Sequence, residues 1–444
     1  MSGQGHCCCE IIWGNFMEKI QFGCFGDDFT GSSDAASFIK KSGMRTVLTD
    51  GIPSGDALLP DGTEAVVIAL KIRTAPVKEA VNMALSAYKW LKAHGANQVY
   101  YKYCSTFDST NQGNIGPVTD AILEKEQVRY TILCPALPIN GRVVQGGHIY
   151  VDGIPLNQTH MRHHPLTPMM SSYIPKLMER QGSYGCILIP QENLSEPPEL
   201  LSQRIGKQTT QKHAYLVPDY TCDEDGKKIA AQFHALPFLT GGSGILTELC
   251  RYYKKEYVRD DRMRKVEGRT LILAGSCSDA TLEQIKDFKE KGGLAIQVSP
   301  DQLLGTTNAS AETFDGVWNK VQETSGNAVM VYTSEESSLV KKAQAKYGVE
   351  QTSQHLERFM AKLAQKAHES GWEKIIVAGG ETSGAVTQAL GVNLYLIGTE
   401  IAPGVPVLCP VNKNNLQIVL KSGNFGQRDF FERAIKVLDE GTAL

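Results

Sequence analysis

Two adjacent carboxylates, Asp27 and Asp28, stand in the run Gly26-Asp27-Asp28-Phe29-Thr30-Gly31-Ser32-Ser33-Asp34, directly after the strand-like segment IQFGCFG. A short strand that ends in such a loop and opens an apolar-periodic helix places the loop where open α/β sheets bind ligands, at the carboxyl end of the strand. A carboxylate at that edge can accept the proton of an attacking hydroxyl. Consecutive side chains diverge, so one of the pair, Asp28 by preference, is expected to act as the base. Asp27 is then expected to be structural or to touch the substrate. The competing reading is helix capping by Thr30 or Ser33, and spacing alone does not separate the two.

A second cluster runs from Lys102 through Thr106, Asp108, Ser109, Thr110 and Gln112 to Gly116, again between a strand-like and a helical pattern. Its hydroxyls, one Asp and one Lys suit a polyol carboxylate, which needs donors for the acid and an acceptor for the alcohols. Arg73, in Lys71-Ile72-Arg73-Thr74, adds a guanidinium that can meet a planar carboxylate bidentately. His148 in QGGHIYVDG is a further candidate donor, and Gly242 and Ser243 of LTGGSG are assigned to the same substrate site. For these loops the competing reading is simple solvation.

The third set lies in the second half of the chain. Gly275-Ser276-Cys277-Ser278, Gly379-Gly380-Glu381-Thr382-Ser383-Gly384 and Lys421-Ser422-Gly423-Asn424-Phe425-Gly426 each follow a β-branched run. Small residues there let backbone amides approach a phosphate at the positive end of a helix. One such loop is weak, since glycines close turns routinely; three in one half point to a phosphate or nucleotide site at Ser276, Ser278, Gly379, Gly380, Glu381, Thr382, Gly423 and Asn424. None of the three is a GxxxxGK[ST] or GxGxxG loop. His160, His163 and His164 lie close together, but no nearby cysteine or carboxylate completes a metal set, so no metal ligands are assigned.

Positioning these loops requires strands and helices in alternation. Strand patterns are IQFGCFG, TVLT, AVVIAL, QVYYKY, YTILC and CILIP in the first half, and RTLILAG, LAIQV, AVMVYT, KIIVAG, LYLIG and LQIVL in the second. Between them lie helical stripes such as Leu356, Phe359, Met360, Leu363 and Ala367. The pattern predicts an α/β protein with two domains, each a mainly parallel sheet flanked by helices, and the active site in the cleft between them. A chain of 444 residues also exceeds the roughly 250–300 that one core supports. The expected division is a disordered leader at 1–18, an N-terminal domain at 19–245, a charged linker helix at 246–267 and a C-terminal domain at 268–444.

A net charge of -3 gives no overall attraction to nucleic acid or anionic membranes. No apolar run approaches the roughly 18–20 residues of a membrane span, and the opening, with Cys7 to Cys9, lacks a secretory pattern. A cytoplasmic protein is expected, without nucleic-acid or membrane partners. Its eleven cysteines, odd in number and without CxxC spacing, read as reduced thiols.

GDDFTG, KYCSTFDST with GNIGP, GGETSGAV, PGVP and KSGNFG, in that order, resemble the four-carbon acid sugar kinase family, over a stretch from about Gln21 to the C-terminus. CPALPINGR, GGHIYVDGIPLN and HHPLTPM are most similar to its 3-oxo-tetronate kinase branch. The resemblance implies an ATP- and Mg²⁺-dependent kinase acting on the 4-hydroxyl of a four-carbon acid such as 3-oxo-tetronate, with threonate or erythronate as the alternative substrates. It implies substrate contacts at Asp28, Arg73, Lys102, Asp108 and Ser109, and ATP contacts at Ser276, Gly379 to Thr382 and Gly423. Gln112 departs from the pattern, at a position often basic in the family. A non-catalytic two-lobed binding protein and an NAD-dependent oxidoreductase are the rival readings. A homodimer is left open as the one macromolecular partner.

Overall fold

The computed structural model describes residues 20–444 apart from 55–57, 164–166, 254–262, 306–308 and 335–336. In the first half the chain runs β1 (Phe22–Gly26), α1 (Phe29–Lys41), β2 (Thr46–Asp50), β3 (Ala65–Ala69), α2 (Val77–Ala93), β4 (Gln98–Lys102), α3 (Ile115–Glu126) and β5 (Tyr130–Cys134). A small antiparallel meander follows, β6 (Arg142–Gln145), β7 (His148–Val151) and β8 (Ile154–Pro155). The half closes with α4 (Ile174–Met178), β9 (Gly185–Ile189), α5 (Pro198–Gln208), β10 (Ala214–Pro218), α6 (Asp223–Phe233), β11 (Phe238–Gly241) and α7 (Leu246–Cys250).

The second half opens with β12 (Met263–Arg264), β13 (Thr270–Ala274), α8 (Asp279–Glu290), β14 (Leu294–Gln297), α9 (Pro300–Leu304), α10 (Ala309–Glu323) and β15 (Ala328–Tyr332). It continues through α11 (Ser337–Tyr347), α12 (Val349–Glu369), β16 (Lys374–Ala378), α13 (Gly380–Ala389), β17 (Leu394–Ala402), β18 (Val405–Pro410), β19 (Gln417–Lys421), α14 (Phe430–Glu440) and β20 (Thr442–Ala443).

The sequence suggests a sheet in each half; the strands instead form one 15-stranded sheet in the order β14-β15-β13-β16-β19-β18-β17-β2-β3-β1-β4-β11-β5-β10-β9. The halves are stitched where β17 pairs antiparallel with β2, Tyr395 opposite Leu48. Because β18 is antiparallel to both β17 and β19, β13 and β16 would run opposite to β1 in a flat sheet. Strand twist of roughly 20–25° per step, accumulated over the six steps from β1 to β16, rotates them by roughly 120–150°. The carboxyl edges of the two halves therefore turn toward each other. A Cβ placed on Gly380, at the start of α13, would lie 3.9 Å from Thr30 Oγ1 in α1.

The apolar periodicities find their places. Phe359, Met360, Leu363 and Ala367 of α12 are buried as one stripe, in a core shared with Phe22, Tyr101 and Ile375. A second, smaller core with Phe288, Phe430 and Phe431 lies between α8, α14 and the sheet. The described cysteines are all free thiols.

Two expectations change. The linker is not one solvated helix: Leu246, Leu249 and Cys250 of α7 are fully buried, Met263–Arg264 pairs with Thr442–Ala443, and residues 254–262 lie outside the described residues, as does the expected leader at 1–18. Strands β10, β11 and β18 carry no strand assignment from sequence. Two prolines in VPVLCP and the glycine of FLTG mask them, yet β11 is central, between β4 and β5.

Candidate active site

In the order β2-β3-β1-β4 the chain leaves β1 on one side and later enters β4 on the other. Such a switch point opens a crevice at the carboxyl ends of the two strands. The loops bordering it are 26–28 and 102–108, joined by a bond from Asp27 N–H to the Lys102 carbonyl (3.0 Å). Asp28 is itself the N-cap of α1: it accepts from Gly31 N–H (2.9 Å) and from the Thr30 hydroxyl (3.1 Å). The cap therefore falls on Asp28 rather than on Thr30 or Ser33, and capping and a second role coincide in one carboxylate.

Arg73 crosses the crevice floor. It donates from Nε and Nη2 to the two oxygens of Asp27, both at 2.9 Å. Its Nη2 also lies 3.1 Å from Asp28 and its Nη1 3.8 Å from Asp108. Asp27 is 3% exposed, so it serves as the anchor of Arg73, whereas the Asp28 side chain keeps 32% of its surface open. Burial works against charge on Asp28, but Arg73, Lys102 and the two cap bonds outweigh it and hold the carboxyl below its ordinary value. Asp28 is thus ionised at neutral pH and can accept a proton.

Asp108 accepts from the Thr106 hydroxyl at 2.7 Å. It follows Phe107 in a turn where both residues take positive φ, 65° and 39°. Side-chain-bearing residues rarely hold that conformation, and strain of this kind gathers at ligand sites. Phe107 is fully buried against the Tyr103 ring, which keeps the turn in place.

Lys102, 3% exposed, donates to the Tyr103 carbonyl (2.9 Å) and lies 3.9 Å from Asp34 Oδ2. The fully buried Ser243 donates to that same oxygen of Asp34, so Ser243 acts through Asp34. Burial pushes the Asp34 carboxyl up to about 6. Asp34 was not singled out from sequence, although it sits in the same loop-and-helix motif. Asn114 was also missed; its amide donates to the carbonyls of Ile72 and Ala75 (2.6 and 2.9 Å) and braces the Arg73 segment.

The remaining substrate candidates are more peripheral. Ser109 donates to Gln181 (3.1 Å), and Thr110 Oγ1 accepts from the backbone N–H of the exposed Gln112 (3.2 Å). The Gly242 carbonyl accepts from Tyr100 (2.7 Å). His148 lies on the meander, with contacts to Ser172 (3.0 Å) and the Tyr173 ring rather than to the Asp–Arg cluster.

In the second half the corresponding switch point lies between β13 and β16, and β19 is the next strand. The three glycine-rich loops thus leave adjacent strands. Gly275 and Ser276 N–H both donate to the Ala378 carbonyl (2.9 and 3.1 Å), and Gly379 N–H to the Lys421 carbonyl (2.9 Å). Gly379 has φ 127°, open to glycine but strained for any other residue. At Gly423 a Cβ would strike Ser276 Oγ at 2.3 Å, so glycine permits the loops to close on one another. Ser278 caps α8 by accepting from Thr281 N–H.

Two helix N-termini, of α8 and α13, therefore flank one crevice, each with first-turn amides that lack intrahelical acceptors. Gly380 and Glu381 are exposed there, Thr382 is buried, and Asn424 is exposed at the loop tip. The open space beside Gly380 and the first-turn amides other than the capped Thr281 N–H fit a phosphate chain. Among the described residues no three His, Cys, Asp or Glu side chains form a metal cage, and no helix is long and apolar enough to cross a membrane.

Residues 22–249 match the family described as Sugar-binding N-terminal domain, and residues 271–431 the family described as Nucleotide-binding C-terminal domain. The chain is 38% identical over 418 residues to a 3-oxo-tetronate kinase of Salmonella typhimurium, covering 94% of this chain and 98% of that one. It is 38% identical over 432 residues to a 3-oxo-tetronate kinase of Cupriavidus necator, covering 96% and 99%. A crystal structure from Salmonella typhimurium LT2 superposes with a TM-score of 0.83 at 37% identity, covering 93% of this chain and 98% of that one. A DUF1537 protein of Haemophilus influenzae gives 0.74 at 36% identity, covering 94% and 100%.

Proposed function

Because this chain belongs to the four-carbon acid sugar kinase family, we propose that it transfers the γ-phosphoryl group of ATP to the 4-hydroxyl of 3-oxo-tetronate, giving the 4-phosphate and ADP. The observation that carries the reading is the approach of the two switch-point crevices, one lined by Asp28, Arg73 and Lys102 and the other by the amides of α8 and α13, where a Cβ on Gly380 would come within 3.9 Å of Thr30 Oγ1. A sugar acid in the first and a triphosphate in the second would meet end to end.

Phosphoryl transfer asks mainly for alignment and charge neutralisation. The acid's carboxylate would be drawn by Arg73 and Lys102, and Asp108 would accept from its hydroxyls. Asp28 would take the proton of the 4-hydroxyl as that oxygen bonds to the γ-phosphorus and the bond to the β-phosphate bridge oxygen breaks, releasing ADP. Ser276, Ser278, Gly379 to Thr382, Gly423 and Asn424 would hold the phosphates. Mg²⁺ would screen their charge, with Glu381 as the carboxylate near the phosphates rather than an all-protein cage. The reading includes a cytoplasmic location. A purely binding protein would have no use for paired helix N-termini opposite an ionised carboxylate.

The test is a coupled ADP-release assay with 3-oxo-tetronate, threonate and erythronate. The reading expects turnover with 3-oxo-tetronate well above that with the other two, and absence of ADP release with all three would overturn it.

A further inference from the structure

Lys421, the last residue of β19, is fully buried, and among the described residues no carboxylate lies within ion-pair distance of it. Its ammonium instead meets three oxygens: the Thr281 hydroxyl (2.9 Å), the Ser422 carbonyl (3.1 Å) and the Gly423 carbonyl (2.9 Å). Thr281, from α8, donates in turn to that Gly423 carbonyl at 2.9 Å. The Phe430 ring of α14 also faces Lys421, with its centroid 5.8 Å from Nζ. An unpaired buried cation is expensive, and a methionine would fill the same volume without that cost, so the charge must answer some other demand.

The demand is geometric. Three acceptors around one nitrogen require three N–H donors, which only the ammonium form supplies. With the carbonyls of Ser422 and Gly423 both turned inward to Nζ, the turn is held where a Cβ on Gly423 would run into the hydroxyls of Ser276 and Ser278. The same lysine reaches α8 through Thr281, whose N–H is the one capped by Ser278. One buried group therefore ties the loop after β19 to the start of α8.

We propose that Lys421 is a positioning residue for the nucleotide, its ammonium holding the 422–424 turn and the first turn of α8 in the arrangement that receives the phosphates. The inference rests on the nucleotide-binding reading of the second half and deepens it. Burial lowers the ammonium from 10.5 to about 7, so the third donor is lost as pH rises through that value.

The test measures ADP binding by calorimetry on the full chain: wild type, Lys421→Met and the near-isosteric Thr281→Val. ADP binding by wild type is the prior condition, and its absence would count against the nucleotide reading itself. Given that binding, both variants should bind ADP about tenfold or more weakly at pH 6. The ratio of Lys421→Met to wild-type Kd should shrink as pH rises to 9, a ratio that cancels the titration of ADP itself and that a simple packing defect would leave constant. Should Lys421→Met fail to fold, Thr281→Val decides by its ADP affinity. Variants within twofold of wild type at pH 6, or a Lys421→Met ratio independent of pH, would overturn the proposal.

Discussion

Arg73 grips Asp27 with two N–H···O bonds of 2.9 Å, and this buried pair sets where the guanidinium reaches Asp28 and Asp108. Removing Arg73 would strand a carboxylate that is 3% exposed. Arg73→Ala should therefore lower stability by about 3–5 kcal/mol in urea unfolding, and raise KM for the sugar acid by the loss of a charge-assisted bond, about 1.5–3 kcal/mol. The double variant Asp27→Ala/Arg73→Ala should recover much of the stability but not the KM. A double variant as unstable as the single would show that Asp27 does not depend on Arg73.

At Gly380 a side chain has room, with Thr30 Oγ1 at 3.9 Å as its neighbour, but it would stand where the phosphates are expected. Gly380→Val should fold with an unchanged Tm and lose ATP binding in a calorimetric titration. Retained affinity would remove the nucleotide from this crevice. Gly379→Ala is the contrast: with φ at 127° it should destabilise the protein by about 1–3 kcal/mol through backbone strain.

Asp34 shares Lys102 with the expected substrate carboxylate. Burial raises its pKa to about 6, opposed by Lys102 and the Ser243 bond and assisted by Glu400. Below that value Asp34 is neutral, the net charge at Lys102 is more positive, and an anionic substrate should bind more tightly. KM for the acid should thus fall as pH is lowered from about 7.5 to 5.5, by at most about tenfold per unit. Asp34→Asn should show a low, pH-independent KM, whereas Lys102→Ala should raise KM at every pH. A pH-dependent KM persisting in Asp34→Asn would assign the titration elsewhere.

Much of this architecture is legible in the sequence because α/β sheets place their loops by rule: Asp27, Asp28, Lys102 and Asp108 follow strand patterns and meet at one switch point. The three glycine-rich loops likewise leave neighbouring strands. What the sequence hides is long-range. The pairing of β17 with β2 that fuses two sheets into one leaves no local mark, and the prolines of β18 speak against a strand. His148 resembles a donor by type, yet the meander takes it to Ser172. Ser243 and Lys421 owe their positions to partners 209 and 140 residues away, a separation no spacing argument reaches.

The central claim is that Asp28 accepts the proton of the attacking hydroxyl, and Asp28→Asn tests it most directly. Asparagine keeps the size, and its Oδ1 can still accept from Gly31 N–H while its Nδ2 donates to the Thr30 hydroxyl in place of the bond that Asp28 accepts, so the cap of α1 survives while the proton acceptor is lost. Steady-state kinetics should show kcat lowered by about 10²–10⁴-fold at near-constant KM, whereas Asp108→Asn should act mainly on KM. An Asp28→Asn enzyme that keeps its kcat while Asp108→Asn loses it would reverse the two roles and contradict the account.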